Sequence, residues 1–154
     1  MQRWSAPRAV LVGGALAGAG DITFAILFAM SGGMTAEKLL QIVASGALGK
    51  AAFDGGTTTA AIGLLCHFAL SFVWATLFVL AARKLPAVAK LSAKPLLTAV
   101  GYGLLVFLVM RLVVLPLSAF PFPVKFKSFS WGMDLLSHIF LFALPIVWAT
   151  RKTQ

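Results

Sequence analysis

Apolar residues run through this chain in long unbroken windows, not in alternation with polar ones. Four windows stand out, at about 9–30, 57–82, 95–116 and 130–150, each near the ~20 residues that a helix needs to span a bilayer. Continuous runs predict helices rather than the alternating strands of a closed barrel, the other structure that leaves no backbone group unpaired in hydrocarbon. Between the first and second windows the pattern changes. Ser31-Gly32-Gly33 ends the first span, Thr35 can cap a new helix, and Glu37 in its first turn complements the dipole. In the stretch 35–48, Leu39, Leu40 and Val43 share one side, while Lys38, Gln41 and Ser45 share the other. This segment is too short and too polar to cross a membrane. It either lies at the outer interface or dips back as a re-entrant segment lined by protein or water. The predicted fold is all-α: a single integral membrane domain over 1–154, with four transmembrane helices and this amphipathic or re-entrant helix between the first and second.

Composition supports the same solvent. The chain is 60% hydrophobic and 11% charged, against roughly 25% charged in an average soluble domain. The net charge of +9 does not point to nucleic acid, because the basic residues flank the spans instead of forming one face. Arg3 and Arg8 precede the first span, Arg83, Lys84, Lys90 and Lys94 lie between the second and third, and Arg151 and Lys152 follow the fourth. Lys38, Lys50, Lys125 and Lys127 fall on the other side, two of them offset by Glu37 and Asp54. The positive-inside rule then puts both termini in the cytoplasm. Trp4 and Trp148 at the inner ends, and Trp131 with Phe129 at an outer end, fit aromatic belts. The segment Ser118 to Ser130, rich in proline and phenylalanine, reads as an interfacial outer loop. Ala15-Leu16-Ala17 has the small-x-small form of a cleavage site, but the apolar run continues well past it, so an uncleaved first span is expected.

Cys66 is the only cysteine, which rules out an intrachain disulfide and a multi-cysteine metal site. Its apolar setting predicts an inert packed thiol. Gly14 and Gly18 share one face of the first span and let another backbone approach closely, either within the bundle or in a homo-oligomer. Gly46, Gly49, Gly55 and Gly56 allow tight turns, and Asp54 or a threonine of Thr57-Thr58-Thr59 can cap the second span. Lys50, Asp54, Gly55, Gly56 and Thr57 at that helix start are also a candidate lid or anion-binding set, with ordinary capping as the simpler account. Pro145 frees the carbonyl of Leu141 and predicts a kink in the fourth span.

The candidate chemistry lies inside the spans. Counting helix rise from the cytoplasmic charges places Asp21, His67, Arg111, Asp134 and His138 all roughly 20–25 Å from the inner interface. An isolated charge in hydrocarbon is costly, so these residues are expected to face one another as a ligand- or proton-binding layer beneath the 35–59 segment. The expected pairings are Asp21 with Arg111 and Asp134 with His138; Arg111 could instead snorkel to the outer interface. A weak internal repeat accompanies the layer. Leu64-Leu65-Cys66-His67 is echoed by Leu135-Leu136-Ser137-His138, each followed by Trp-Ala-Thr and then Arg-Lys, a pattern that chance could also produce.

Three functional classes follow. A small transporter or channel subunit for a small molecule or ion suits the shared-depth layer, with Asp21 or the Asp134–His138 pair taking up a proton or ligand and Arg111 holding an anionic group. Haem or metal binding through His67 and His138 is the second, with no cofactor as the first expectation. An enzyme is disfavoured, because no nucleophile–base spacing, zinc motif or phosphate loop is present. A purely structural network of buried pairs is the bland alternative.

Ala44-Ser45-Gly46-Ala47-Leu48-Gly49, Ala52-Phe53-Asp54-Gly55-Gly56, Gly63-Leu64 and His67-Phe68 together resemble a pattern in small bacterial inner-membrane proteins of the uncharacterised YagU-like type. The resemblance covers about a quarter of the chain. It implies a multi-pass protein of the bacterial inner membrane and carries over no activity.

Overall fold

The computed structural model describes residues 3–123 and 128–154. Lys125 and Lys127, and the side chain of Phe129, lie outside the described residues. The described residues are predominantly helical, with no strand among them. Helix α1 spans Ala6–Ser31, α2 Ala36–Leu48, α3 Gly56–Lys84, α4 Pro86–Ser92 and α5 Pro95–Leu117. Helix α6 runs from Ser128–Ser137 through a π turn at His138–Ala143 into Leu144–Arg151. Four of these helices are long and apolar enough to cross a membrane, with spans of 26, 29, 23 and 22 residues. At 1.5 Å per residue even the shortest reaches ~33 Å, enough for a hydrocarbon core of ~30 Å.

Local sequence sets the ends. Ser5 accepts from the Arg8 amide at the start of α1, with Pro7 in the first turn where no amide partner is needed. Thr35 caps α2 as expected, accepting from the Lys38 amide at 3.2 Å. The start of α3 departs from expectation. Its cap is Gly55, with no side-chain bond, and neither Asp54 nor a threonine serves. Gln41 reaches across from α2 and donates to the Gly56 carbonyl at 3.2 Å, and Thr59 turns its hydroxyl to the same carbonyl. The basic connection 85–94 holds the short helix α4, opened by Pro86 and closed where the Thr98 hydroxyl donates back to the carbonyls of Leu91 and Lys94.

The spans form an up-down-up-down bundle in the ring order α3, α1, α6, α5. Small residues set the distances, as expected where apolar burial from water does not drive helices together. A side chain built at Gly13 would come within 3.0 Å of Ala149 Cβ on α6, and one at Gly14 within 2.6 Å of Phe72 on α3. At Gly103, a Cβ would lie 2.7 Å from the His138 carbonyl. The Gly14–Gly18 face offered above as an oligomer contact is thus filled by Phe72, Phe68 and Ser71 of the same chain. Ser71 donates to the Gly14 carbonyl at 2.6 Å, and His67, one turn earlier, donates through Nε2 to the Gly18 carbonyl at 3.0 Å. Glycines on α1 leave those carbonyls unshielded, so two α3 donors four residues apart tie the helices together.

The packed core occupies the half of the bundle nearest the termini, around Ala17, Phe78, Tyr102, Val106, Ile146 and Val147. There Tyr102 closes the ring between α5 and α3 by donating to the Trp74 carbonyl at 2.6 Å. Both termini lie together at this end, where the Trp4 amide donates to the Lys152 carbonyl and the Trp4 and Trp148 rings meet edge to face. Outward-facing leucines such as Leu11, Leu65 and Leu105 stay exposed, as the lipid face of a membrane bundle requires.

At the opposite end, α2 packs on the first two turns of α3. It does so with Gln41, Ala44 and Ser45 buried, whereas Leu39 and Leu40 are only partly so. That arrangement suits a helix whose outer surroundings are apolar. The contact depends on Gly63, where a Cβ would stand 1.9 Å from the Leu40 carbonyl. Gly63→Val should therefore destabilise the protein by about 1–3 kcal/mol through overpacking. Gly101→Ala, at an exposed helical site with nothing within 4 Å, should be neutral or stabilising by up to about 1 kcal/mol. Thermal unfolding of the two variants in detergent checks the contrast, and equal midpoints would contradict the docking of α2.

Candidate functional site

Two prolines shape the site. Pro116 in α5 and Pro145 in α6 each lack an amide hydrogen and crowd the carbonyl four residues before them. In both helices a π turn precedes the proline, at Met110–Val114 in α5 and at His138–Ala143 in α6. The kink expected from Pro145 takes this form, a wider turn that accommodates the missing bond. Arg111 lies within the first π turn and His138 opens the second. The close approach at Gly103 brings the two helices together beside them.

The result is a cavity of about 610 Å³ in the half of the bundle covered by α2. Asp21, His67, Arg111, Asp134 and His138 all line it, each from its own position on α1, α3, α5 or α6. Ile42, Val43, Gly46 and Ala47 of α2 form its roof, and the rest of the wall is mostly apolar. The roof is pinned where the Ala119 amide, just past α5, donates to the Gly46 carbonyl at 2.9 Å. Lys50, Asp54, Gly55 and Thr57 sit exposed on the turn between α2 and α3, and neither they nor Gly56 line the cavity.

The charged groups pair differently from expectation. Arg111 bonds Asp134 through two nitrogens, Nε at 3.2 Å and one terminal nitrogen closer still, and its guanidinium lies over the rings of Phe107 and Trp131. It does not pair with Asp21. The ring order explains this: α1 and α5 are diagonal, and α6 stands between them. Asp21 instead accepts from the Ser137 hydroxyl. The expected meeting of Asp134 and His138 does occur, with Nδ1 of His138 3.4 Å from the Asp134 carboxylate and 2.9 Å from the Asp134 carbonyl, to which it donates. The same Nδ1 is 3.9 Å from Asp21. His138 is thus set between two carboxylates from different helices.

Three contributors were not anticipated. Ser137 is the partner of Asp21, and only its position three residues after Asp134 on one helix face hints at this. Cys66 is partly exposed and lines the cavity, so it is not fully packed as its apolar neighbours suggested. Trp74 borders a second void of about 60 Å³ shared with Asp21, His67 and His138, and its indole nitrogen is buried without a partner. A void of that size has room for water.

Chemically, the cluster has two carboxyl groups and one guanidinium, so with both carboxyls ionised and both imidazoles neutral it would carry one uncompensated negative charge. A proton on His138 would balance it. Arg111 is already engaged by Asp134 and is poorly placed to hold an anionic ligand. Each histidine commits one ring nitrogen to a backbone carbonyl, leaving Nδ1 of His67 and Nε2 of His138. Among the described residues, no group of three or more His, Cys, Asp or Glu side chains is arranged to hold a metal ion. No family model matches this chain, and neither a curated protein nor a solved structure shows significant similarity to it.

The Arg111–Asp134 pair should behave as a unit. Arg111→Met or Asp134→Leu alone strands a charge and should cost about 2–4 kcal/mol, below the 3–5 of a fully buried pair because both side chains are partly exposed. The double variant should cost less than the sum, with a coupling of about 1–3 kcal/mol in a denaturation cycle. Additive losses would show that the two groups do not interact.

Proposed function

We propose that this is a multi-pass protein of the bacterial inner membrane, its termini cytoplasmic, whose intramembrane cluster is the proton- and ligand-binding centre of a small transporter or channel subunit. The observation that carries the reading is that the five ionisable side chains surround open space. A network serving only to fix helix order gains nothing from a cavity of about 610 Å³, which forfeits packing on every wall. A volume of that order lies within the ~300–1,000 Å³ typical of small-molecule sites, and apolar walls with a few convergent polar groups are their usual lining.

Within this reading Asp21 and His138 are the exchanging groups. They face each other across two helices at 3.9 Å, so a proton placed between them changes the charge of the cavity by one unit. Arg111 holds Asp134, which in turn orients the imidazole. Helix α2 is the roof, attached to the end of α5 by the Ala119–Gly46 bond, and its displacement would open the cavity at that end. The π turns lie where such motion would be taken up.

Reconstituted vesicles with an imposed pH gradient provide the test. Wild-type protein should drive accumulation of at least one solute from a panel of cationic, anionic and neutral small molecules, and Asp21→Asn should reduce the rate by about tenfold or more. Rates matching those of protein-free vesicles across the panel would reject the transport reading.

A further inference from the structure

The charge balance and the shape of the cavity, taken on top of the functional reading above, narrow the class of ligand. Three observations converge. The carboxylates outnumber the guanidinium by one, and the guanidinium is already bonded to Asp134. The walls away from the cluster are apolar, with Leu70, Met110 and Val114 facing the space. The mouth lies at the side: Ala47 on α2 and Ala69 on α3 line the cavity and are also exposed. Helices α3 and α5 are not packed backbone to backbone at this level; Tyr102 with Trp74 and Phe78 closes that seam only lower down. A ligand passing through the seam would come from the lipid side.

We propose that the cavity takes an apolar-bodied organic monocation, which enters between α3 and α5 and places its charge at Asp21. The apolar body replaces nothing but weakly held water against Leu70, Met110 and Val114. The positive charge compensates the carboxylate that Arg111 leaves unpaired. An organic anion of the same shape would meet an excess negative charge with no free guanidinium to receive it. A cation in low-dielectric surroundings gains far more from one uncompensated carboxylate than it would in water.

The test uses two probes of matched shape and opposite charge, tetraphenylphosphonium and tetraphenylborate, with the full chain in lipid nanodiscs. Radiolabelled tetraphenylphosphonium should bind saturably and be displaced by the unlabelled cation but not by the borate. Asp21→Asn should weaken binding by about tenfold or more, which corresponds to about 1.4 kcal/mol or above. Arg111→Gln, which removes a positive charge from the same cluster, should tighten binding. Opposite responses to two substitutions in one cluster separate a charge effect from loss of fold. Cys66, the only thiol in the chain, locates the site: its alkylation by a membrane-permeant maleimide should slow several-fold when the cation is bound. No saturable binding, equal displacement by the borate, or undiminished binding to Asp21→Asn would each overturn the proposal. Saturable cation binding without vesicle accumulation would leave the ligand class standing and remove the transport reading. Accumulation of other solutes with no phosphonium binding would do the reverse.

Discussion

The cost of an unpaired charge in an apolar medium organises one half of this molecule. Asp21, Arg111, Asp134 and His138 each lie within a span, where a charge without a partner is costly, and each has a partner in the cluster. That requirement ties α1, α5 and α6 together by contacts far more specific than apolar packing, since leucine against leucine is no better than leucine against lipid. Ser137 serves the same constraint by donating to Asp21. The half nearer the termini closes into an apolar core, with Tyr102 linking α5 to α3.

Backbone geometry decides where the charges can meet. Gly103 brings α5 to α6 at a backbone distance that no side chain would permit, and glycines at 13, 14 and 18 hold α1 close to α6 and α3. Bringing α1 against α3 exposes two carbonyls for Ser71 and His67, and bringing α5 against α6 sets Arg111 beside Asp134. The π turns ahead of Pro116 and Pro145 widen the helices at the level of the cluster, so close approach at Gly103 gives way to open space around His138. Gly63 allows α2 to lie directly on α3 and roof that space. Narrow contacts on either side of a wide place are what produce a cavity instead of a filled core.

Several features were legible in the residues and several were not. The four spans, the Thr35 cap and the gathering of five ionisable side chains at one level of the bundle follow from hydropathy, capping chemistry and helix rise, all properties of single segments. The partner of Arg111 did not follow, because depth is one coordinate and pairing needs the order of helices around the ring. For the same reason the Gly14–Gly18 face was as readable as an oligomer contact as it was a contact with α3. The burial of Gln41 and Ser45 on α2 ran against the habit of placing leucines inward, which holds in water and reverses where the outside is apolar. The place of Cys66 was not legible because its neighbours along the chain are apolar, while its neighbours in space are the cavity.

What the sequence determined by itself is a solvent and a depth. A chain with 11% charged residues and four continuous apolar windows must place those windows in helices, and the position of each charge along a helix sets its distance from the interface. What only the tertiary structure decided is who faces whom: that Arg111 answers Asp134, that Asp21 is left with a hydroxyl and an imidazole, and that the group encloses space. Depth is a sum of local rises along one chain segment. Pairing depends on helix order, rotation and the few contacts where glycine lets backbones touch, and those exist only once all the segments are in place.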